Sequence, residues 1–191
     1  MKKFLLPLSI IFLSSCGTLN LYRANSSYSS ALNMLQEYKG GVMEGVDVRE
    51  RFIADLQLTV ERTRRIIQSG TDDHRVYVMY FESLFLLASA SEKRSEEYSE
   101  EAKKFAVGAL DRFKGTHEES QMCYYLAKGL LGSGHIDLRG YHKVLACVPL
   151  ALKNELAPAF KRELKDILES IKFLFKKDLK RVGRYPTASL R

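Results

Sequence analysis

The chain of 191 residues has no tryptophan, only four prolines and only three cysteines. So few prolines among 46% apolar residues exclude a disordered tail protein and a collagen-like repeat. Three cysteines cannot build a disulfide scaffold, and the odd number leaves at least one unpaired or modified. No run approaches the roughly 18 to 20 apolar residues that cross a bilayer as a helix. His74, His117, His135 and His142 form no HExxH and no i, i+4 pair, so no metal site is expected. Phosphate-cradling glycine loops and the Gly-x-Ser-x-Gly elbow are also missing. No cofactor is expected, and catalysis is not supported.

The first sixteen residues read MKKFLLPLSIIFLSSC. Lys2 and Lys3 are a short basic start, and residues 4–13 are an apolar run. That run is too short to span a bilayer but has the length of a signal-peptide core. Ser14 and Ser15 then lead to Cys16. Leu13-Ser14-Ser15-Cys16 resembles the lipobox of bacterial lipoproteins at every position. The resemblance implies removal of residues 1–15, a diacylglycerol thioether on Cys16, and an acyl chain such as palmitate on its new amine. Two or more chains hold a protein to a membrane firmly where one does not. Loss of Lys2 and Lys3 takes the formal charge from +7 to +5. Gly17, not Asp, follows the cysteine, which by the same resemblance points to the outer membrane of a diderm cell, facing the periplasm.

The body of the chain carries helical periodicity and no convincing strand. Residues 16–30 read as a lipidated cysteine and a polar tether, or as the frayed start of a first helix. Tyr28, Ala31, Leu32, Leu35 and Tyr38 recur at helical spacing up to Gly40-Gly41. Asp47 with Glu50, and Thr116 with Glu119, have capping-box spacing. Phe52, Ile53, Leu56, Val60, Ile66 and Ile67 line one side of the helix that Gly70 ends, with arginines over much of the rest. The segment from about Asp73 to Ala90 is apolar nearly all round and must be covered on several sides. Helices follow from about Glu96 to Phe113, Met122 to Leu131 and Asp137 to Leu152, the last kinked or split by Pro149. Pro158 suits the first turn of a last helix, whose apolar face runs from Phe160 to Val182. Short connections predict antiparallel neighbours. The expected organisation is one all-α domain over residues 31–183 and a basic tail over 184–191.

YFESLFLL at Tyr80–Leu87 lies over YYLAKGLL at Tyr124–Leu131 with an offset of 44 residues. Each apolar helix is followed by a turn and a more amphipathic helix, the unit of an α-solenoid. Tyr98, Ala102, Phe105, Ala109 and Leu110 resemble the second helix of a tetratricopeptide repeat, and Ala127 and Gly134 its first helix and turn. The resemblance covers residues 76–152. It departs from the family in its 44-residue period, in Lys114 where the repeat ends in proline, and in the absent tryptophan. It implies stacked antiparallel hairpins, with a helical bundle as the alternative fold.

Glu82-Ser83 resembles the catalytic Glu-Ser of lytic transglycosylases, but that family's Gly-Leu-Met-Gln segment is missing. Cys123 and Cys147 lie at similar distances from the turn at residues 132–136, so an antiparallel hairpin brings them level. A disulfide and two small buried thiols both remain open. Ten lysines and arginines crowd residues 161–191, and outside the cytoplasm they would meet anionic lipid or cell-wall polymer rather than nucleic acid. Tyr77, Tyr80, Tyr124, Tyr125 and Lys128 lie on the first helices of the two resembled hairpins and are the candidate groove residues. The expected function is a membrane-anchored adaptor or assembly factor of the cell envelope that binds a protein or peptide. A binding protein for a hydrophobic small molecule or acyl chain is the alternative, and a wall-modifying enzyme using Glu82 a third reading.

Overall fold

A computed structural model describes residues 5–39, 46–154 and 158–182. Within them the protein is all-α. The elements are α1 (Leu5–Lys39), α2 (Val46–Gln68), α3 (His74–Ala90), a 3₁₀ turn (Glu92–Arg94), α4 (Ser95–Arg112), α5 (Glu119–Gly132), α6 (Leu138–Lys153) and α7 (Pro158–Val182). Among the described residues no helix is long and apolar enough to cross a membrane. The glycine turn expected after Tyr38 and the tail at 184–191 lie outside the described residues.

The chain divides into two compact units, residues 1–92 and 93–191. The boundary falls inside the stretch that resembles tetratricopeptide repeats. Each unit buries its own apolar set, so the helical periodicity that marks every element does not reveal where one core ends.

In the first unit α1 packs on α2, and α2 packs on α3. Ser27 and Thr59 share a buried hydrogen bond of 2.8 Å, and the Ser30 hydroxyl donates to Asp55 at 2.7 Å. These pairs set an antiparallel register between α1 and α2. Residues 16–30 are therefore helix and not tether. Asparagine and serine are weak helix formers, but Ser27 also donates to the carbonyls of Arg23 and Ala24 within its own helix. Ala24 and Ala31 are fully buried, so α1 lies close on its partner. Gly70 ends α2 with φ +90°, a conformation open to glycine without strain. Asp73 caps α3 by accepting from the Arg75 amide at 3.1 Å.

In the second unit α5 is central and packs on α4, α6 and α7. Its residues Met122 to Ala127 are all buried, which is why its sequence shows no polar stripe. Gly129 and Gly132 face α4 at close range, against Lys103 and Ser99. Tyr141 of α6 stacks on Phe175 of α7 at 3.8 Å. The Asp137 carboxylate caps α6, accepting from the Gly140 amide at 2.7 Å, and accepts from the Lys103 ammonium at 3.2 Å. Burial alone would push the Lys103 ammonium down, but Glu100 and Asp137 outweigh it and hold it above its usual value.

Of the kink or split expected at Pro149 the split is not formed, since helix α6 runs through it. The proline is exposed. The box at Thr116 and Glu119 is not formed. Thr116 donates to the Phe113 carbonyl, and Glu119 accepts from the Gly115 amide at 2.7 Å, which holds the turn and not the helix end. Helix α2 is described from Val46, and the side chain of Asp47 lies outside the described residues.

Candidate binding site

The expected groove does not exist as a surface. Tyr77, Tyr80, Tyr124 and Tyr125 are 3%, 0%, 1% and 1% exposed. They are core side chains, because the helices that carry them are covered on several sides. Tyr77 and Tyr80 also belong to one unit, and Tyr124, Tyr125 and Lys128 to the other. The phenols find partners inside. Tyr124 donates to Glu163 at 2.8 Å, and Phe160 meets its ring edge-on at 5.0 Å. Lys128 donates to the same phenol oxygen at 3.1 Å and pairs with Glu163 at 3.4 Å. Tyr125 accepts from Gln121 at 3.3 Å. This is the polar handle that a buried tyrosine requires.

Cys123 and Cys147 are joined by a disulfide, with Cα atoms 5.9 Å apart. Of the two readings the sequence left open, the bridge is the one formed. It ties α5 to α6 at the level where their antiparallel register brings the two residues together, and about one turn away on α5 Ser120 accepts from the Asn154 side-chain amide at 2.9 Å.

A different feature is concave and apolar. A cleft of about 350 Å³ opens among α1, α2 and α3, lined by Met34, Leu35, Val48, Phe52 and Leu86. Its volume lies at the lower end of the range of small-ligand sites. Arg49 stands at its edge and donates to the Ala90 carbonyl at 2.6 Å. That bond fixes the end of α3 to the start of α2. Leu35 and Phe52 lie on the apolar helix faces that the sequence spacing marks, and Arg49 is among the arginines beside them. The weak signal was two apolar faces flanking one glycine-rich turn, with nothing to say that they stop short of filling the space between them.

Glu82 is half-buried on α3. Burial, and then the Glu82 charge, push the Tyr28 phenol up to about 12. Both groups belong to the first unit. Among the described residues no group of three or more His, Cys, Asp or Glu is placed to hold a metal ion. The basic residues of α7 face outward, but Arg162, Lys165, Lys172, Lys176 and Lys177 alternate with Glu163, Asp166 and Glu169, and Lys172 pairs with Glu169 at 2.8 Å. Where it is described, the helix shows a mixed surface and not a field of one sign. The side chain of Cys16 lies outside the described residues. Comparison with protein-family models, with curated proteins and with solved structures gives no match for this chain.

Proposed function

We propose that this chain is an extracytoplasmic lipoprotein, held to a membrane through Cys16, that works by binding and not by catalysis. The observation that carries the reading is the coincidence of the lipobox with the end of the α1–α2 packing. The pairs Ser27–Thr59 and Ser30–Asp55 set a register in which Cys16 falls about level with Gly70, the turn that ends α2. Residues 5–15 extend past that turn by about 16 Å at 1.5 Å per helical residue. Cutting before Cys16 removes what α2 does not pair with and leaves the register of the first unit whole. The Cys123–Cys147 disulfide favours the same address, since such bonds persist in oxidising compartments.

The anchored chain acts as an adaptor or assembly factor for an envelope protein, and the cleft among α1, α2 and α3 is its candidate site. The size and apolar lining of that cleft also favour a second reading, a small hydrophobic ligand or acyl chain as occupant. The test is metabolic labelling with an alkyne fatty acid together with crosslinking in cells, comparing the wild type with Cys16→Ala. The expected result is label on the wild type alone and one abundant crosslinked protein that weakens when the anchor is lost. No label on the wild type defeats the lipoprotein reading. Label without any crosslinked protein defeats the adaptor, and solvent extraction of the purified chain then tests for a bound apolar molecule.

A further inference from the structure

Among the buried apolar residues of the first unit, two large apolar side chains near its start stand out in water. Leu19 is 46% exposed and Tyr22 is 71% exposed. They lie three and six positions after Cys16 in one unbroken helix, and being three residues apart they share a face within its next two turns. Deeper in the same helix Ala24, Ser27 and Ala31 are buried against the fold. The exposed pair is thus confined to the end at which α2 finishes.

That end is also basic. The α1–α2 register puts the last turns of α2 beside Leu19 and Tyr22, and the turn at 69–73 leads into α3 there. Arg23, Arg62, Arg64, Arg65 and Arg75 stand at this end against Glu61, Asp72 and Asp73, and with Arg65 paired to Glu61 and Arg75 to Asp73 the excess is positive. Arg62 donates to the Arg23 carbonyl at 2.7 Å, which brings its guanidinium against α1. Apolar and aromatic side chains ringed by guanidinium groups match the chemistry of a headgroup layer. Position selects a bilayer as the occupant, since the face lies within two turns of Cys16 on one unbroken helix.

We infer that this end of the first unit seats directly on an anionic bilayer, with Leu19 and Tyr22 in the headgroup layer and the arginines against lipid phosphates. The inference rests on the lipidation of Cys16 proposed above. It adds that the attachment is a rigid helix and a face, where a flexible tether would leave the unit free of the surface. Helix α1 offers no loop between Cys16 and the buried residues that begin at Ala24.

The absence of tryptophan makes the test clean. The full lipidated chain carrying Tyr22→Trp is reconstituted in vesicles of phosphatidylglycerol and phosphatidylethanolamine with bromine-labelled acyl chains. Leu19→Trp is the second probe. Leu58→Trp is the control, on the exposed side of α2 and about 18 Å from the level of Cys16, roughly twice as far as Tyr22, at 1.5 Å per residue. Intact mass establishes the attached lipid. The expected result is blue-shifted emission and bromine quenching at positions 22 and 19, several-fold stronger than at position 58, and weaker in phosphatidylcholine vesicles. A chain of the lipidated mass whose probes at 22 and 19 are quenched no more than the one at 58 overturns the seating and leaves the lipoprotein reading intact. A mature chain without the lipid mass overturns both. Equal quenching in neutral vesicles overturns the anionic assignment.

Discussion

Gly129 of α5 and Lys103 of α4 meet backbone to backbone: a Cβ added at Gly129 would come within 2.8 Å of the Lys103 amide nitrogen. The neighbour is main chain within a helix and cannot turn aside. Gly129→Ala is therefore expected to separate the two helices and cost about 1 to 3 kcal/mol. Gly108, on the exposed side of α4, has nothing within 4 Å of its added Cβ. Gly108→Ala is expected to stabilise by about 0.4 to 1 kcal/mol through helix propensity and a stiffer unfolded chain. Urea unfolding of the two variants tests the pair, and opposite signs are the required outcome.

The disulfide closes a separation of 24 residues. Loop-closure entropy gives it roughly 3 kcal/mol. The double variant Cys123→Ala, Cys147→Ala should lose about that much, and added reductant should lower the melting temperature of the wild type but not of the variant. An identical response to reductant in both proteins would remove the bond from the account.

Asp137 predicts an acid limb. Burial pushes its carboxyl up, but the Gly140 amide and the Lys103 ammonium outweigh this and hold it below the ordinary aspartate value. A carboxylate depressed in the folded state stabilises above its unfolded pKa, about 3.9, and loses that contribution as pH falls through the lower folded value. Asp137→Asn keeps a capping oxygen and discards the charge. Its urea midpoint should fall less steeply than that of the wild type below about pH 4. Asp137→Ala, which removes the cap as well, should cost about 1 kcal/mol at neutral pH.

Ser83 offers a gain. Its hydroxyl is the one buried side-chain polar atom without a hydrogen-bond partner among the described residues. An unsatisfied buried hydroxyl costs about 1 to 3 kcal/mol. Ser83→Ala is expected to raise stability by about 1 kcal/mol, read as a higher urea midpoint with unchanged slope. A loss of stability would mean that the hydroxyl has a partner after all.

The helices themselves were legible because apolar spacing and chain breakers report local geometry. Asp73, Gly70 and Pro158 stand at element ends as their chemistry requires. Burial was legible only in kind. The all-round apolar stretches at Tyr77–Tyr80 and Tyr124–Tyr125 told that something covers them, yet a tyrosine reads the same in a core and in a groove. What decides is whether Glu163, Gln121 or a backbone carbonyl waits for the phenol, and such partners are distant in sequence. Residues 16–30 left tether and helix both open for a related reason. Serine favours a tether by propensity, whereas Thr59, 32 residues away, makes it a packing residue. The cleft beside Phe52 was invisible, since a void is a property of what three helices fail to fill.

The crosslink lies wholly within residues 93–191. The redox poise of the surroundings therefore acts on one unit and passes the other by. With both thiols reduced, the second unit opens more often than it does when they are bridged, while the first keeps its packing. Once oxidised, α5 and α6 belong to a closed covalent ring that thermal fluctuation cannot unthread. Reduction, a two-electron step, thus acts on the second unit and leaves the first untouched.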